Sequence, residues 1–181
     1  MGFFRYAKLA YFSKETGDRK LFRLIKGQQT ERIVLLGIES VRLCESLIEV
    51  ASQYARDEQV LVTGLDAFDE RDPSLDQLRL VDAHRELSQT GARVQLTPGG
   101  PSEGLARMAN SLQDTDLVLI SRLVSEQQLT AAWFYLPRMC HPGTMVLRRQ
   151  HVSPEERADA WTPISTDEVA GRAARSRRLA A

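Results

Sequence analysis

The sequence is poor in cysteine, has no excess of either charge and contains no long apolar run. Its two cysteines, Cys44 and Cys140, form no CxxC motif, and they indicate a reducing compartment in which both sulfurs act as small core groups. Lysine plus arginine and aspartate plus glutamate both number 24, so no overall field attracts nucleic acid or an anionic membrane. No apolar run approaches the roughly 20 residues that a membrane-spanning helix needs. We therefore expect a cytoplasmic protein without a membrane span.

Histidine is also scarce, which argues against a metal site. His84, His141 and His151 lie far apart in the sequence and lack the spacing of metal ligands. We predict no metal and expect turn or solvent-facing positions for all three. Sequence distance alone leaves Ser-His-Asp or Cys-His chemistry open, but no nucleophile elbow or comparable local motif indicates it.

The alternation of strands and helices predicts the fold class. Five apolar runs are predicted as strands: Ile33–Leu36, Val60–Val62, Val94–Leu96, Asp116–Ile120 and Thr144–Leu147. Such continuous apolar runs are typical of strands buried on both faces. With a helix between successive strands, they predict an α/β fold with a doubly wound open parallel sheet of five strands, in the order 3-2-1-4-5. Too little apolar sequence follows Leu147 for a closing antiparallel pair, so a truncated sheet is expected.

The length of 181 residues fits one domain with additions at its ends. We divide the chain into an N-terminal helical extension (1–29), a doubly wound domain (30–150) and a short helical C-terminal extension with a basic tail (151–181). Two capping boxes, Ser74 with Gln77 and Ser125 with Gln128, predict the first turns of two helices.

The N-terminal segment is predicted to be a helix with an unusually wide apolar surface. Its twelve residues include six large apolar side chains: Phe3, Phe4, Tyr6, Leu9, Tyr11 and Phe12. A helix with so much apolar surface needs two neighbours. One is its own domain, and the second is, in one interpretation, another copy of the chain in a homodimer. In the alternative interpretation, the helix folds only over its own sheet.

Four motifs follow one another in order between Arg32 and Arg149. They are Ile33–Gly37, Gly64–Asp66, Thr115–Ile120 and Leu136–Leu147. In this order and spacing they resemble the class I S-adenosylmethionine-dependent methyltransferases, and the last motif is similar to the turn into the fifth strand of that family. The resemblance implies a Rossmann-like fold. It also implies S-adenosylmethionine as cofactor, bound beyond the carboxyl ends of the strands at the switch point beside the first strand.

The glycine-rich cofactor loop of that family is degenerate in this chain. The family's loop has the form acid-x-Gly-x-Gly-x-Gly, and the corresponding positions here are Leu35, Gly37, Glu39 and Val41. Only Gly37 matches. Glu39 would place a carboxylate beside the cofactor's own carboxylate, and like charges in a partly desolvated cleft repel. In the alternative interpretation, Gly37 ends a strand, and Glu39 and Ser40 begin a helix.

Three residues of the later loops complete the candidate cofactor site with Gly37 and Glu39. Asp66 matches the family's acid that accepts both ribose hydroxyls, although it also begins a run of acids that could simply be solvated. Gly99 offers its backbone in the third loop, where the family usually has an acid. Ser121 begins the fourth loop, where the family often carries an Asn-Pro-Pro motif or a metal-binding aspartate, so no catalytic residue is identified.

The sequence therefore leaves two main functional hypotheses open. The first is a methyltransferase-like domain that binds S-adenosylmethionine or a related nucleoside and acts on a small-molecule substrate. The second is a pseudo-enzyme, in which the same fold is kept as a protein interaction module. A weaker third hypothesis, nucleic-acid binding through Arg175, Arg177 and Arg178, is opposed by the zero net charge.

Overall fold

The fold is a three-layer α/β arrangement around one sheet. The structure is a computed structural model, which describes residues 3–12, 16–56, 59–150 and 160–179. Its sheet has the order β3-β2-β1-β4-β5-β6. The strands are β1 (Arg32–Leu36), β2 (Leu61–Asp66), β3 (Arg93–Pro98), β4 (Thr115–Ile120), β5 (Cys140–Gln150) and β6 (Ala160–Ile164). Strands β1 to β5 pair in parallel, which confirms the predicted fold class and the order 3-2-1-4-5.

The sixth strand corrects the expectation of a truncated sheet. β6 pairs antiparallel with β5, with Leu147 opposite Pro163 and Arg149 opposite Trp161. An edge strand carries no continuous apolar run, and it tolerates proline because one row of its backbone N–H groups needs no partner strand. A search for long apolar runs therefore misses a strand of this kind.

Helices cover both faces of the sheet. They are α1 (Phe3–Phe12), α2 (Thr16–Gln28), α3 (Val41–Tyr54), α4 (Leu80–Ser88), α5 (Pro101–Met108), α6 (Glu126–Ala132), α7 (Leu136–Met139) and α8 (Thr166–Leu179). Helices α1 to α4 share a core with one sheet face, which includes Ile33 and Leu35. Helices α5 to α8 share a second core with the other face, which includes Val34 and Leu36. The alternation of neighbouring β1 residues between two cores explains its continuous apolar sequence. None of the described helices has the length and apolar character needed to cross a membrane.

The start of α4 lies further along the chain than its predicted capping box. Both the backbone N–H and the hydroxyl of Ser74 donate to a carboxylate oxygen of Asp72, at 2.8 and 2.6 Å. Ser74 is therefore held in a local turn and caps no helix. The helix begins at Leu80, whose N–H donates to the Asp69 carboxylate at 3.0 Å. An acid from outside the helix thus replaces the predicted serine cap.

The second predicted capping box is confirmed at α6. The Ser125 hydroxyl accepts the backbone N–H of Gln128 at 3.2 Å, and the Gln128 side chain accepts the N–H of Ser125 at 2.9 Å. We expect Ser125→Ala to lower the free energy of unfolding by about 1 kcal/mol, because the N–H of Gln128 loses its partner. Urea unfolding measures the loss. Ser46→Ala in the interior of α3 is the matched control and should be neutral or stabilising. The Ser46 hydroxyl donates to the Arg42 carbonyl one turn earlier and caps no helix end.

The N-terminal helix packs on its own domain through part of its surface. Tyr6 and Ala10 are buried, and the Tyr6 ring meets the Tyr54 ring edge-on at 5.2 Å between centroids. The Lys26 ammonium lies 4.7 Å from the centre of the Tyr6 ring. The side chains of Phe3, Phe4, Tyr11 and Phe12 lie outside the described residues, so the homodimer through this helix stays a prediction.

Candidate functional site

The predicted site residues lie at the carboxyl edge of the sheet. Because β1, β2, β3 and β4 run parallel, the loops after them meet at one edge. A cavity of about 160 Å³ opens there and is lined by Gly37, Asp66 and Gly100, among other residues. Gly99 has a φ of +117° and donates its N–H to the carbonyl of Asp66 at 2.9 Å. Glu39 and Ser121 are not among the residues that line this cavity, and they contact each other.

Asp66 is buried, and donors from the chain itself surround its carboxylate. One oxygen accepts the N–H of Phe68 at 2.8 Å and Nε of Arg71 at 2.7 Å. The other accepts the N–H of Ile38 at 2.7 Å and Nη2 of Arg71 at 2.7 Å. A carboxylate offers about four acceptor positions, so these four bonds use its capacity. Two ribose hydroxyls could bind Asp66 only by displacing donors that the chain already supplies.

Arg71 is one of the site residues that the sequence did not indicate. It is 7% exposed, and besides its bidentate pair with Asp66 it donates to the carbonyls of Ile38 at 2.5 Å and Asp76 at 2.9 Å. These bonds tie the loops after β1 and β2 together. The available signal was weak: Arg71 is the only cation between Asp66 and Asp76, among several acids.

Glu39 is the centre of a second polar cluster at the same edge. Its Oε1 accepts the Ser121 hydroxyl and the N–H of Arg122, both at 3.1 Å. Its Oε2 pairs with Nη1 of Arg149 at 2.9 Å, and both side chains are nearly buried. Arg149 also lies 3.5 Å from an Asp18 carboxylate oxygen. Glu39 thus joins the loops after β1 and β4 to the end of β5.

The glycine turn after β1 is packed directly against the loop after β4. Gly37 has a φ of +81°, and a Cβ atom there would lie 2.8 Å from Cγ2 of Val124 and 2.9 Å from Cβ of Ser121. In the resembled family, bare backbone at this turn admits the cofactor. In this chain the side chains of Val124 and Ser121 occupy the space that a Cβ atom at Gly37 would need.

The residues present do not fit S-adenosylmethionine in this conformation. The acid expected for the ribose is saturated by Arg71 and two backbone donors. The carboxylate of Glu39 lies at the loop position where the cofactor's amino-acid end is expected. The cavity of about 160 Å³ is also smaller than the roughly 300–1,000 Å³ of small-molecule sites.

Neither thiol is an activated nucleophile, and the described residues offer no metal site. Burial raises the pKa of the Cys44 thiol to about 12, and burial also raises the pKa of Cys140, so both thiols stay protonated near neutral pH. His141 Nε2 lies 3.3 Å from Oδ1 of Asp116, near the amino end of β4 and far from the cavity. His84 is exposed on α4, and His151 lies outside the described residues. No group of three His, Cys, Asp or Glu side chains in the described ranges could hold a metal ion.

Comparison with solved structures supports the fold, whereas comparison of the sequence with known families and proteins finds no match. No protein-family model and no curated protein matches the chain. The chain is similar in structure to the O-methyltransferase TomG from Streptomyces achromogenes, solved in complex with S-adenosylmethionine. The TM-score is 0.54 at 15% identity, with 89% of this chain and 66% of TomG covered.

A second similar structure is cofactor-bound Rv0187 from MTB, with a TM-score of 0.56 at 18% identity. The match covers 97% of this chain and 74% of Rv0187, and this chain spans slightly less than two thirds of TomG. The strand order with an antiparallel β6, the helices on both faces and these two likenesses agree. The chain has a class I methyltransferase-like, Rossmann-like fold.

Proposed function

We propose that this chain is a methyltransferase-like domain whose S-adenosylmethionine site is closed by its own side chains. It then acts without methyl transfer, as an interaction module. The observation that carries the proposal is the Asp66–Arg71 pair, in which the expected ribose acceptor is saturated. A cytoplasmic location is part of the same proposal, supported by the two unpaired cysteines.

The cluster around Glu39 supports the same conclusion independently. A ligand carboxylate entering beside Gly37 would meet the charge of Glu39, which is already paired with Arg149. Removing Glu39 from this pair would leave charged groups in a partly buried place, which is costly. The chain has therefore satisfied internally the polar groups that a nucleoside ligand would otherwise satisfy.

A second candidate function is binding of S-adenosylmethionine after Arg71 moves away from Asp66. It is favoured by the cavity that remains at the carboxyl edge, where Gly37 and Gly100 present backbone. The complex of the structurally similar TomG with S-adenosylmethionine supports the same ligand class. For this second function, the Arg71 side chain has to break four hydrogen bonds before a ribose can bind Asp66.

Calorimetric titration with S-adenosylmethionine and S-adenosylhomocysteine distinguishes the two candidates. For the closed site we expect the wild-type chain to bind both with dissociation constants above about 1 mM. We expect Arg71→Gln to bind at least about tenfold more tightly, because two acceptor positions of Asp66 become available to the ribose hydroxyls.

Arg79→Gln is the matched control, because Arg79 is an exposed arginine near the same loop and its variant should bind like the wild type. Thermal melts verify that each variant is folded at the titration temperature. Wild-type dissociation constants below about 1 mM would contradict the closed site and favour the second candidate. Since that titration uses the unaltered chain, it decides the question even if Arg71→Gln fails to fold.

A further inference from the structure

The larger of the two cavities described here lies at the opposite edge of the sheet. Its volume is about 250 Å³, and it opens beside the amino ends of β1, β2 and β3 and the segment that follows α5. No site residue discussed above lines it. The residues that matter for its chemistry are Arg32, Leu61, Arg93, Gln95, Ser111 and Gln113.

The strand register places two arginines on either side of one leucine. Arg32 is opposite Leu61, and Leu61 is opposite Arg93. Residues in one row across parallel strands project to the same sheet face, and neighbouring strands lie about 4.8 Å apart. The two arginine Cα atoms are therefore separated by roughly 10 Å. Two long side chains at that spacing can converge on one anion above Leu61.

Both guanidinium groups are available for a ligand. Nη1 of Arg32 donates to the main-chain carbonyl of Gln113 at 2.9 Å, which positions the group and leaves its other N–H groups for further partners. Among the ion pairs of the described residues, none joins Arg32 or Arg93 to a carboxylate. No aspartate or glutamate is among the described residues that line the cavity. Asp116, the nearby acid, accepts the backbone N–H groups of Glu31 and Arg32.

The rest of the lining limits the size and character of the ligand. Leu61 and Val34 provide an apolar floor, and Thr63 and Gln95 are paired two residues further along the strands, on the same face. Ser111 and Gln113 add polar groups from the segment after α5. The volume is just below the usual lower limit of about 300 Å³ for small-molecule sites. A compact ligand with one anionic group and a short polar body fits this lining.

We propose that this cavity at the amino edge binds a small metabolite that carries a phosphate or carboxylate group, held between Arg32 and Arg93. Arginine suits either group, because its planar fork donates two parallel hydrogen bonds to phosphate or carboxylate oxygens. The site is separate from the carboxyl edge, so it does not depend on whether that edge binds a nucleoside.

Calorimetry of the full chain with glucose 6-phosphate, inorganic phosphate, succinate and uncharged glucose tests the site. We expect a phosphate or carboxylate probe to bind with a dissociation constant in the millimolar range or tighter, and glucose not to bind. Tighter binding of glucose 6-phosphate identifies a phosphate ester, and tighter binding of succinate identifies a carboxylate. We expect Arg32→Gln and Arg93→Gln each to weaken binding by about tenfold, as loss of a charge-assisted hydrogen bond does.

Arg107→Gln is the matched control, because Arg107 is an exposed arginine of α5 that does not line the cavity. Its variant should bind like the wild type. The proposal is overturned if no anionic probe binds at about 10 mM, or if Arg107→Gln weakens binding as much as Arg32→Gln and Arg93→Gln. Since both lining arginines are exposed, their variants should keep the wild-type melting temperature within a few degrees.

Discussion

Arg71→Ala is expected to lower the free energy of unfolding by about 3–5 kcal/mol, because it leaves the buried Asp66 carboxylate without its charged partner. The pair is almost fully enclosed, with side chains 3% and 5% exposed. The variant also loses the bonds that Arg71 donates to the carbonyls of Ile38 and Asp76. For a chain of this size, the loss corresponds to a fall of roughly 6–20 °C in melting temperature.

Arg79→Ala is the control for this experiment. Its ion pairs with Asp69 and Asp82 are 3.9 and 3.7 Å long and its side chain is 71% exposed, so a loss below about 1 kcal/mol is expected. Adding Asp66→Asn to Arg71→Ala should recover part of the loss, since no unpaired charge then remains buried. Urea unfolding measures all three. Equal losses for Arg71→Ala and Arg79→Ala would show that the Asp66–Arg71 pair does not hold the loops together.

Gly37→Ala is expected to cost about 2–5 kcal/mol, the second large effect. An L side chain at the observed φ of +81° costs about 1–2 kcal/mol. The new Cβ atom would also meet Val124 at 2.8 Å and Ser121 at 2.9 Å, and such overpacking costs a further 1–3 kcal/mol or so. Urea unfolding of the variant measures the sum.

Substitutions at two other glycines measure the conformational cost and the packing cost separately. Gly91 has a φ of +83° with nothing within 4 Å of an added Cβ, so Gly91→Ala should cost only the conformational part, about 1–2 kcal/mol. Gly104 has no positive φ, but its Cβ would lie 2.8 Å from Leu65, so Gly104→Ala should cost mainly the packing part. A Gly37→Ala loss no larger than that of Gly91→Ala would mean that the loop after β4 moves away easily.

A small loss at Gly37 would also bear on function. The close packing of Gly37 against Val124 and Ser121 is one of the features that limit the size of the cavity at the carboxyl edge. A loop that moves away easily would weaken the proposal of a closed site and favour the candidate in which the cavity enlarges for a nucleoside. Stability measurements and titrations therefore test the same structural feature in different ways.

The central strands could be predicted from the sequence because strands that are buried on both faces consist of consecutive apolar residues. β1 and β4 are covered on both faces, so every residue from Ile33 to Leu36 and from Leu117 to Ile120 is apolar. The sequence also predicted a helix cap correctly where both partners lie in one helical turn, as at Ser125 and Gln128. The start of α4 was mispredicted because Asp72 takes the N–H and the hydroxyl of Ser74, while the helix begins at Leu80, whose N–H donates to Asp69.

The sequence predicted the edge of the sheet at which the candidate residues lie, but not the side-chain pairs that they form there. Strand order alone brings the loops that contain Gly37, Asp66 and Ser121 to one edge. The sequence could not show that Arg71 folds back onto Asp66, because a cation five residues after an acid has many other positions open to it. The pairing of Glu39 with Arg149, 110 residues later, depends on β5 lying beside β4.

By itself, the sequence determined the parallel sheet, its strand order and the edge at which the loops converge. These features follow from apolar runs and from the alternation of helices and strands, both of which can be recognised in short stretches of consecutive residues. Only the tertiary structure decided that Glu39 pairs with Arg149 at this edge and that β6 pairs with β5. It also decided that Arg32 and Arg93 lie in one row across three strands. Those features depend on contacts between residues distant in sequence, and a single sequence carries no local pattern for such contacts.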